Sequence, residues 1–548
     1  MKRTPQRPAV VGVDFGTSSV RAVILDAASG DQLSSAEAGF PRWEAGEYCD
    51  PAQARFRQHP AEQIESFCSV VSKATAGAGS RASSIAAIGI DTTGSTPCAV
   101  DGTGRPLSLL PQFADDPDAM SILWKDHSAQ AEAEEISAAA RAWPDDDYLR
   151  FCGGAYSAEW YWAKVLHALR CNPRVAAAAE AWLEHCDWIA AMLIGATRLS
   201  SIARSACAAG HKALWNPAFG GYPPERFFAA VDPKLAAVRR VQPEAPRTSD
   251  RAAGRLVAEW AERLGLPVGI PVGVGLFDAH AGALGAGVRP GTVVKVMGTS
   301  SSEMVVAPVE LIGERAIAGI ESQALGSMIP SMIGIEAGQS AFGDVYAWFR
   351  DLLAWPLQFS QPADAAVVDR LIPELSKRAA LLADDDGPVV ATDWFNGRRA
   401  PVANHALKAS LTGLTLGSRP EHLFRALVEA TAFGTRAIHE LLKNEQVPIE
   451  RVIAIGGIPK KAPYVMQVLA DVLETPVAVS GAENGSARGA ALLASVVAGI
   501  HTDVEAAIAA IGGTEVAEYR PRPQRLDACR TRYRRYLELG KFSEALQP

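Results

Sequence analysis

One short pattern occurs twice in this chain of 548 residues. An apolar run, Val10 to Val13, empties through Asp14-Phe15-Gly16-Thr17-Ser18-Ser19 and passes at once into a second apolar run, Val20 to Leu25. Near residue 291, Gly-Thr-Val-Val-Lys-Val-Met leads into Gly298-Thr299-Ser300-Ser301-Ser302 and out along Glu303 to Val306. Each reads as strand, tight turn, strand. A turn of Gly and hydroxyl residues presents backbone N–H groups to an anion, and Gly16 and Gly298 permit the close approach that a phosphate demands. Either turn alone is also what an ordinary hairpin contains, since Gly, Ser, Thr and Asp dominate turns for conformational reasons. The repeat suggests a duplicated phosphate cradle.

A chain of this length exceeds one hydrophobic core and predicts two large domains or a few smaller ones. With 48% hydrophobic and 21% charged residues it has the composition of a globular protein, and a net charge of -8 gives no support for nucleic-acid binding. The basic run Arg530, Arg532, Arg534 and Arg535 reads as the wet face of a terminal helix. Eight scattered cysteines form no C-x-x-C pair and no Cys/His cluster of zinc spacing. Reduced thiols and a cytoplasmic setting fit best. No signal-peptide core and no run long enough to span a membrane is present. The Ala-rich stretch from Arg174 to Gly195 is interrupted by Glu180, Glu184, His185 and Asp187.

After the first strands, helix and strand alternate: a helix from about Pro60 to Thr75, then a strand Ile85 to Ile90 that stops at Asp91-Thr92-Thr93-Gly94. Such alternation predicts an α/β fold. A helical stripe of Trp160, Ala163, Leu166 and Leu169 leaves Trp162 and Lys164 off its face. Pro267 to Gly275 reads as a strand ending at Leu276-Phe277-Asp278, followed by a small-residue helix from His280. The hairpin pattern restarts at Gly291, which places a domain boundary near Ala286 and divides the chain into 1–286 and 287–548. In the second part a capping box at Ser418 to Glu421 opens a helix reaching about Lys443, a strand Arg451 to Ile455 ends at Gly456-Gly457, and Asn484-Gly485-Ser486 opens a helix to Val497.

Asp278 before a helix is by itself an N-cap. Beside two phosphate-type turns it gains a chemical role, accepting the proton of a hydroxyl as that oxygen attacks a γ-phosphate. Asp14 would then hold Mg²⁺, through water, because Mg²⁺ keeps much of its hydration shell. There is no G-x-x-x-x-G-K-[ST] loop and no protein-kinase signature set, so a nucleotide enzyme of this sequence uses another phosphate scaffold.

On these residues the chain resembles the FGGY carbohydrate kinases over nearly its whole length. Asp14-Phe-Gly-Thr-Ser-Ser looks like their first phosphate motif, Gly298-Thr-Ser like the second, and Gly456-Gly457 like the adenosine motif. Tyr156 to Lys164 is similar to their N-terminal signature. Ser410-Leu-Thr-Gly-Leu with His422 to Glu429 is similar to the C-terminal one. Further words, among them Asp91-Thr-Thr-Gly-Ser-Thr-Pro97, Leu123-Trp-Lys-Asp-His127, Ala209 to Trp215, Gly275 to His280, Ile335 to Gly343 and Asp393 to Pro401, resemble the branch of that family that acts on L-ribulose.

The resemblance implies two actin-like, ribonuclease H-like α/β domains flanking a cleft for ATP and sugar. It implies ATP-dependent, Mg²⁺-requiring phosphorylation of L-ribulose to L-ribulose 5-phosphate, a step of L-arabinose catabolism. Asp278 would be the general base. Gly94, Lys212, Asp278 and Glu336 would line the sugar site, with Trp124 and Asp126 as a further sugar-facing pair. Thr17, Ser18, Gly298, Thr299, Ser300, Gly456 and Gly457 would contact ATP. Outside the resemblance Lys212 reads as a surface lysine and Glu336 as a solvated charge. One position departs from the pattern: Ala462 stands where many relatives carry an Asn at adenine. Xylulose, D-ribulose or another polyol is the alternative acceptor, and a non-catalytic actin-like sugar sensor is the alternative class. A homodimer is left open.

Overall fold

The structure is a computed structural model that describes residues 7–243, 245–359, 365–384 and 386–546. Two seven-stranded sheets form its two halves. The first contains β1 (Ala9–Phe15), β2 (Ser19–Asp26), β3 (Gln32–Gly39), β4 (Ile85–Thr92), β5 (Ala252–Arg255), β6 (Pro271–Gly273) and β7 (Leu276–Phe277), in the order β5-β6-β4-β1-β2-β3 with β7 also paired to β4. The second contains β8 (Gly291–Met297), β9 (Ser301–Pro308), β10 (Ser322–Leu325), β11 (Met332–Gln339), β12 (Ile449–Gly456), β13 (Val477–Ser480) and β14 (Glu515–Tyr519), in the order β10-β11-β9-β8-β12-β13-β14.

The repeat seen in the sequence is a repeat of topology. β1 pairs antiparallel with β2 and parallel with β4. β8 pairs antiparallel with β9 and parallel with β12. Strands β1 and β4 are apolar and buried almost end to end, because helices cover both faces of a sheet at its parallel centre. Their shared direction also brings the ends of β1, β4 and β7 to one edge. Asp14 lies beside Asp91, and Leu276 and Phe277 run alongside Asp91 and Thr92.

The halves interlock through two helices, α4 (Asp278–Ala286) and α6 (Gly485–Val497), which make the densest helix pair in the molecule. Although α6 lies late in the chain, it packs on β1 and β4 of the first sheet, while α4 touches β8, β9 and β12 of the second. This exchange works only without side chains in the way. A Cβ on Gly12 would overlap the carbonyl oxygen of Ala487, one on Gly89 that of Ala490, and one on Gly489 that of Ala281. One apolar cluster accordingly draws on both halves, with Phe277, Leu284, Val294, Met304, Ile453 and Leu492 among its members.

Several elements differ in extent from the sequence reading. The segment after Pro267 is two short strands broken at Val274 and Gly275, because Gly275 sits against the backbone of Cys186. The long helix of the second half, α5 (Pro420–Asn444), is capped one residue later than expected: His422 Nδ1 accepts from the Arg419 N–H, while Ser418 Oγ accepts from Thr415 N. The Ala-rich stretch is a short helix, a strand at Ala181–Glu184 and a second helix at His185–Leu193. In the terminal helix, Leu526–Leu546, Arg530, Arg534 and Arg535 are exposed, but Arg532 is buried against Glu429 at 2.7 Å. No helix among the described residues is long and apolar enough to cross a membrane.

Because backbone meets backbone where α6 crosses α4, Gly489→Val forces the two helices apart. It is expected to cost about 3 kcal/mol or more, read as a lower midpoint of chemical unfolding, with Gly417→Ala, at an exposed position where a Cβ meets only ordinary contact, as the control.

Candidate active site

Three carboxylates meet where the central strands end. Asp14 closes β1, Asp91 lies opposite it on β4, and Asp278 opens α4 directly after β7. Asp91 is fully buried, and no protein N–H or O–H reaches either of its oxygens. Burial raises its pKa well above the usual carboxylate range, and the charge on Asp14 raises it further. Burial also raises Asp14, against the pull of Arg21, whose Nη1 lies 3.5 Å from Asp14 Oδ2. Asp278 is pushed up to about 7, by burial first and by Asp14 second. Two buried, unsatisfied oxygens facing further carboxylates form a donor set that fits a hard divalent cation.

A second charged group lies on the same side of α4. Helix α3 (Ala206–Lys212) ends in Lys212, whose Nζ lies 2.8 Å from Glu336 Oε2 on β11. Neither is a surface residue: both are buried. Burial opposes both charges, but the partner together with the other opposite charges around each outweighs it, so Glu336 is held well below the ordinary range and Lys212 is raised. Gly94 sits in the loop after β4, where any side chain would run into the ring of Phe277. That contact sets Gly94 against the residue that precedes Asp278.

The second hydroxyl turn faces a cavity between the halves, and the first is tied to it through Trp124. Trp124 Nε1 donates to Thr17 Oγ1 at 2.9 Å, and Trp124 lines a cavity of about 620 Å³ together with Thr299, Ser300, Glu159 and Arg399. Ser18, Gly298 and Thr299 are exposed. A second cavity of about 460 Å³ joins Asp14 and Arg21 to Gly456, Gly457 and Lys460. Ala462 and Lys461 line neither; they border a third groove against the helix Ala365–Ala380.

Asp126 is a correction. It is fully buried, and its carboxylate is taken up by Arg57, by the Phe56 N–H at 2.6 Å and by Ser128 Oγ at 2.5 Å. It lines neither of the two cavities above and pins the segment that carries Trp124. Trp124 therefore reaches the first turn by itself, not as half of a pair.

Comparison with known proteins matches this architecture. The model for the FGGY family of carbohydrate kinases, N-terminal domain, matches residues 9–285, and that for the C-terminal domain matches residues 293–498. The chain belongs to the FGGY family of carbohydrate kinases. It is 42% identical over 546 residues to a ribulokinase of Vibrio parahaemolyticus, covering 98% of this chain and 96% of that one. It is 34% identical to a ribulokinase of Halalkalibacterium halodurans, covering 97% and 94%. Among solved structures, a xylulose kinase from Rhodospirillum rubrum superposes with a TM-score of 0.77 at 22% identity, covering 98% of this chain and 99% of that one. A Plasmodium falciparum glycerol kinase with ADP gives 0.75 at 16%, covering 97% and 98%.

In this FGGY kinase the N-terminal signature acts as scaffold. Tyr156 OH donates to the carbonyl of Lys212 at 2.6 Å and accepts from Trp162 N, while Trp162 Nε1 donates to the carbonyl of Ala213 at 2.8 Å. Lys164 Nζ donates to the carbonyls of Ser95 and Leu123, each at 2.7 Å. The stripe drawn from periodicity left Trp162 and Lys164 outside, yet both are buried in α2 (Tyr161–Cys171), because its neighbours cover this helix well beyond that stripe. Asp91, Glu159, Glu321 and Arg399 were likewise missed. The one local signal for Asp91 was its place at the end of an apolar strand, the same position that singled out Asp14. Arg399 crosses the cleft, lying 3.5 Å from Glu159 of the first half and 3.8 Å from Glu321 of the second.

A carboxyl whose pKa is raised in the folded state costs nothing below its unfolded value; the cost grows as the pH rises between the two values and is complete above the raised one. Asp278→Asn is therefore expected to raise the melting temperature at pH 8, with the gain vanishing toward pH 4.

Proposed function

We propose that this kinase transfers the γ-phosphoryl group of ATP to the terminal C5 hydroxyl of L-ribulose, giving L-ribulose 5-phosphate, with Asp278 as general base. The observation that carries the chemistry is Asp278 itself: a carboxyl held near neutrality at the mouth of α4, between two hydroxyl turns and next to the Lys212–Glu336 pair. A base with such a pKa is matched to taking a proton at cellular pH. The choice of sugar is supported by the full-length relatives named ribulokinase.

In this reading Gly94, Lys212 and Glu336 hold the ketopentose. Its hydroxyls and carbonyl offer nothing but hydrogen bonds, which a buried ion pair with spare donors and acceptors can supply. Thr17 and Ser18 on one side and Gly298, Thr299 and Ser300 on the other cradle the phosphates, and Gly456 and Gly457 border the nucleoside. Asp278 accepts the proton of the C5 hydroxyl as that oxygen bonds to the γ-phosphorus and the bond to the β,γ-bridging oxygen breaks. Asp14 and Asp91 would hold Mg²⁺, which when bound neutralises phosphate charge. Drawing the halves together excludes water, so that the sugar rather than water receives the phosphoryl group. The same reading divides the chain after Ala286, where α4 ends.

Steady-state assays of ADP release with L-ribulose, D-ribulose, both xyluloses and glycerol test the substrate. L-ribulose is expected to give the highest kcat/KM, and a tenfold preference for another acceptor replaces it. Asp278→Asn is expected to lower kcat by at least about 10³-fold while ATP binding, followed by calorimetry, changes little; near-normal turnover refutes the mechanism. For the wild type, kcat/KM is expected to fall tenfold per pH unit on the acid side of about 7, since the base must be deprotonated.

A further inference from the structure

Next to the Lys212–Glu336 pair lie two histidines with no part in the chemistry above. His211 precedes Lys212 on α3, and His280 follows Asp278 by two residues on α4. Their rings are 4.4 Å apart, and each side chain is buried. His211 Nδ1 lies 2.7 Å from Ser322 Oγ, which in turn lies 3.2 Å from Glu336 Oε2. This leaves His211 Nε2 and both nitrogens of His280 buried without a hydrogen-bond partner. Buried polar atoms without partners are rare in folded proteins, and those of His211 and His280 lie beside a carboxylate and an ammonium group, which marks a place built for something else to bind.

The surroundings select what binds. His211, His280 and Glu336 each offer a donor atom, all within 4.8 Å of one another, a set that resembles a zinc site. However, Lys212 Nζ already lies 2.8 Å from Glu336 Oε2, so the charge of that carboxylate is neutralised and a fixed positive charge stands beside the oxygen a dication would need. A neutral ligand rich in hydroxyls meets no such repulsion. Burial keeps both rings unprotonated, lowering His280 to about 4 and His211 well below its usual value. A neutral imidazole offers one donor and one acceptor nitrogen, the same pair of functions a hydroxyl group offers in return.

We propose that His211 and His280 bind hydroxyl groups of the sugar other than the one Asp278 deprotonates, and so set which ketose the site accepts. The inference rests on the sugar-kinase reading above. It extends the site from Asp278, Lys212 and Glu336 to a second pair of residues brought together by α3 and α4. A site that hydrogen-bonds a substrate hydroxyl discriminates strongly against the analogue that lacks it, because its own buried polar atoms are then left unpaired.

The test uses the full-length enzyme with saturating ATP. His280→Phe keeps a flat ring and removes both nitrogens. It is expected to lower kcat/KM for L-ribulose at least tenfold, mainly through KM, with KM for ATP unchanged. Across 1-, 3- and 4-deoxy ketopentoses, one analogue should be turned over equally by wild type and variant, since it lacks the hydroxyl in question. An equal loss for every sugar makes the histidines merely structural and overturns the proposal. His211→Gln and His280→Asn are read in the same way. Should none of these fold, ¹⁵N-histidine NMR of the wild type decides: L-ribulose is expected to shift two imidazoles that a non-hydrolysable ATP analogue alone leaves in place, and no shift overturns the proposal. Stoichiometric Zn²⁺ binding that competes with L-ribulose and is lost in His280→Phe would make the cluster a metal site and also overturn it. A wild type that phosphorylates no ketopentose refutes the function itself, whereas normal turnover with uniform losses in the variants refutes only this assignment.

Discussion

Everything in the cleft hangs from one close crossing. Helices α4 and α6 meet through Gly489, and α6 lies directly on β1 and β4 through Gly12 and Gly89. With no side chain between them, these backbones cannot slide past one another without overlap, and packed interiors tolerate little. Because α4 begins with Asp278, the crossing fixes that carboxylate relative to Asp14 and Asp91 on the strands beneath. The chain achieves this by sending a helix from each half onto the other.

Onto this frame the protein places charges in two opposite ways. The strand-end carboxylates are buried and crowded together, and Asp91 has no donor at all, so their pKa values rise. The Lys212–Glu336 pair is mutually satisfied, and both members stay charged despite burial. The first arrangement holds electrostatic tension that a ligand can relieve, and the second holds a rigid polar surface. Under the function proposed above, reactive groups and positioning groups are separated by how their charges are paired.

Much of this was legible in the sequence. The two hairpins were visible because Gly and hydroxyl residues interrupt apolar runs at matching places, and Asp14 and Asp278 because each ends such a run. Lys164 and Trp162 were not, since periodicity assigns a polar or off-stripe residue to solvent and cannot see that neighbours cover a helix well beyond its stripe. Asp126 read as a sugar ligand because its neighbour Trp124 reaches the cleft, but Arg57, which claims its carboxylate, lies 69 residues away in the chain. Asp91 and Arg399 acquire their meaning only from partners that the fold supplies. Ala462, the one break in the family's pattern, borders a groove apart from the cavity that Gly456 and Gly457 line.

The terminal helix has a bearing on the second hydroxyl turn that its position conceals. Tyr536 OH donates to Asp393, Asp393 accepts from Gln339 Nε2 at 2.7 Å, and Gln339 Oε1 accepts from Ser301 Oγ at 3.1 Å, beside the buried pair of Lys295 and Glu303. Tyr536 is translated 143 residues after Asp393. A nascent chain that has already laid down both central hairpins thus still lacks the strut that braces one of them. The second hydroxyl turn gains this support only when the helix Leu526–Leu546 docks.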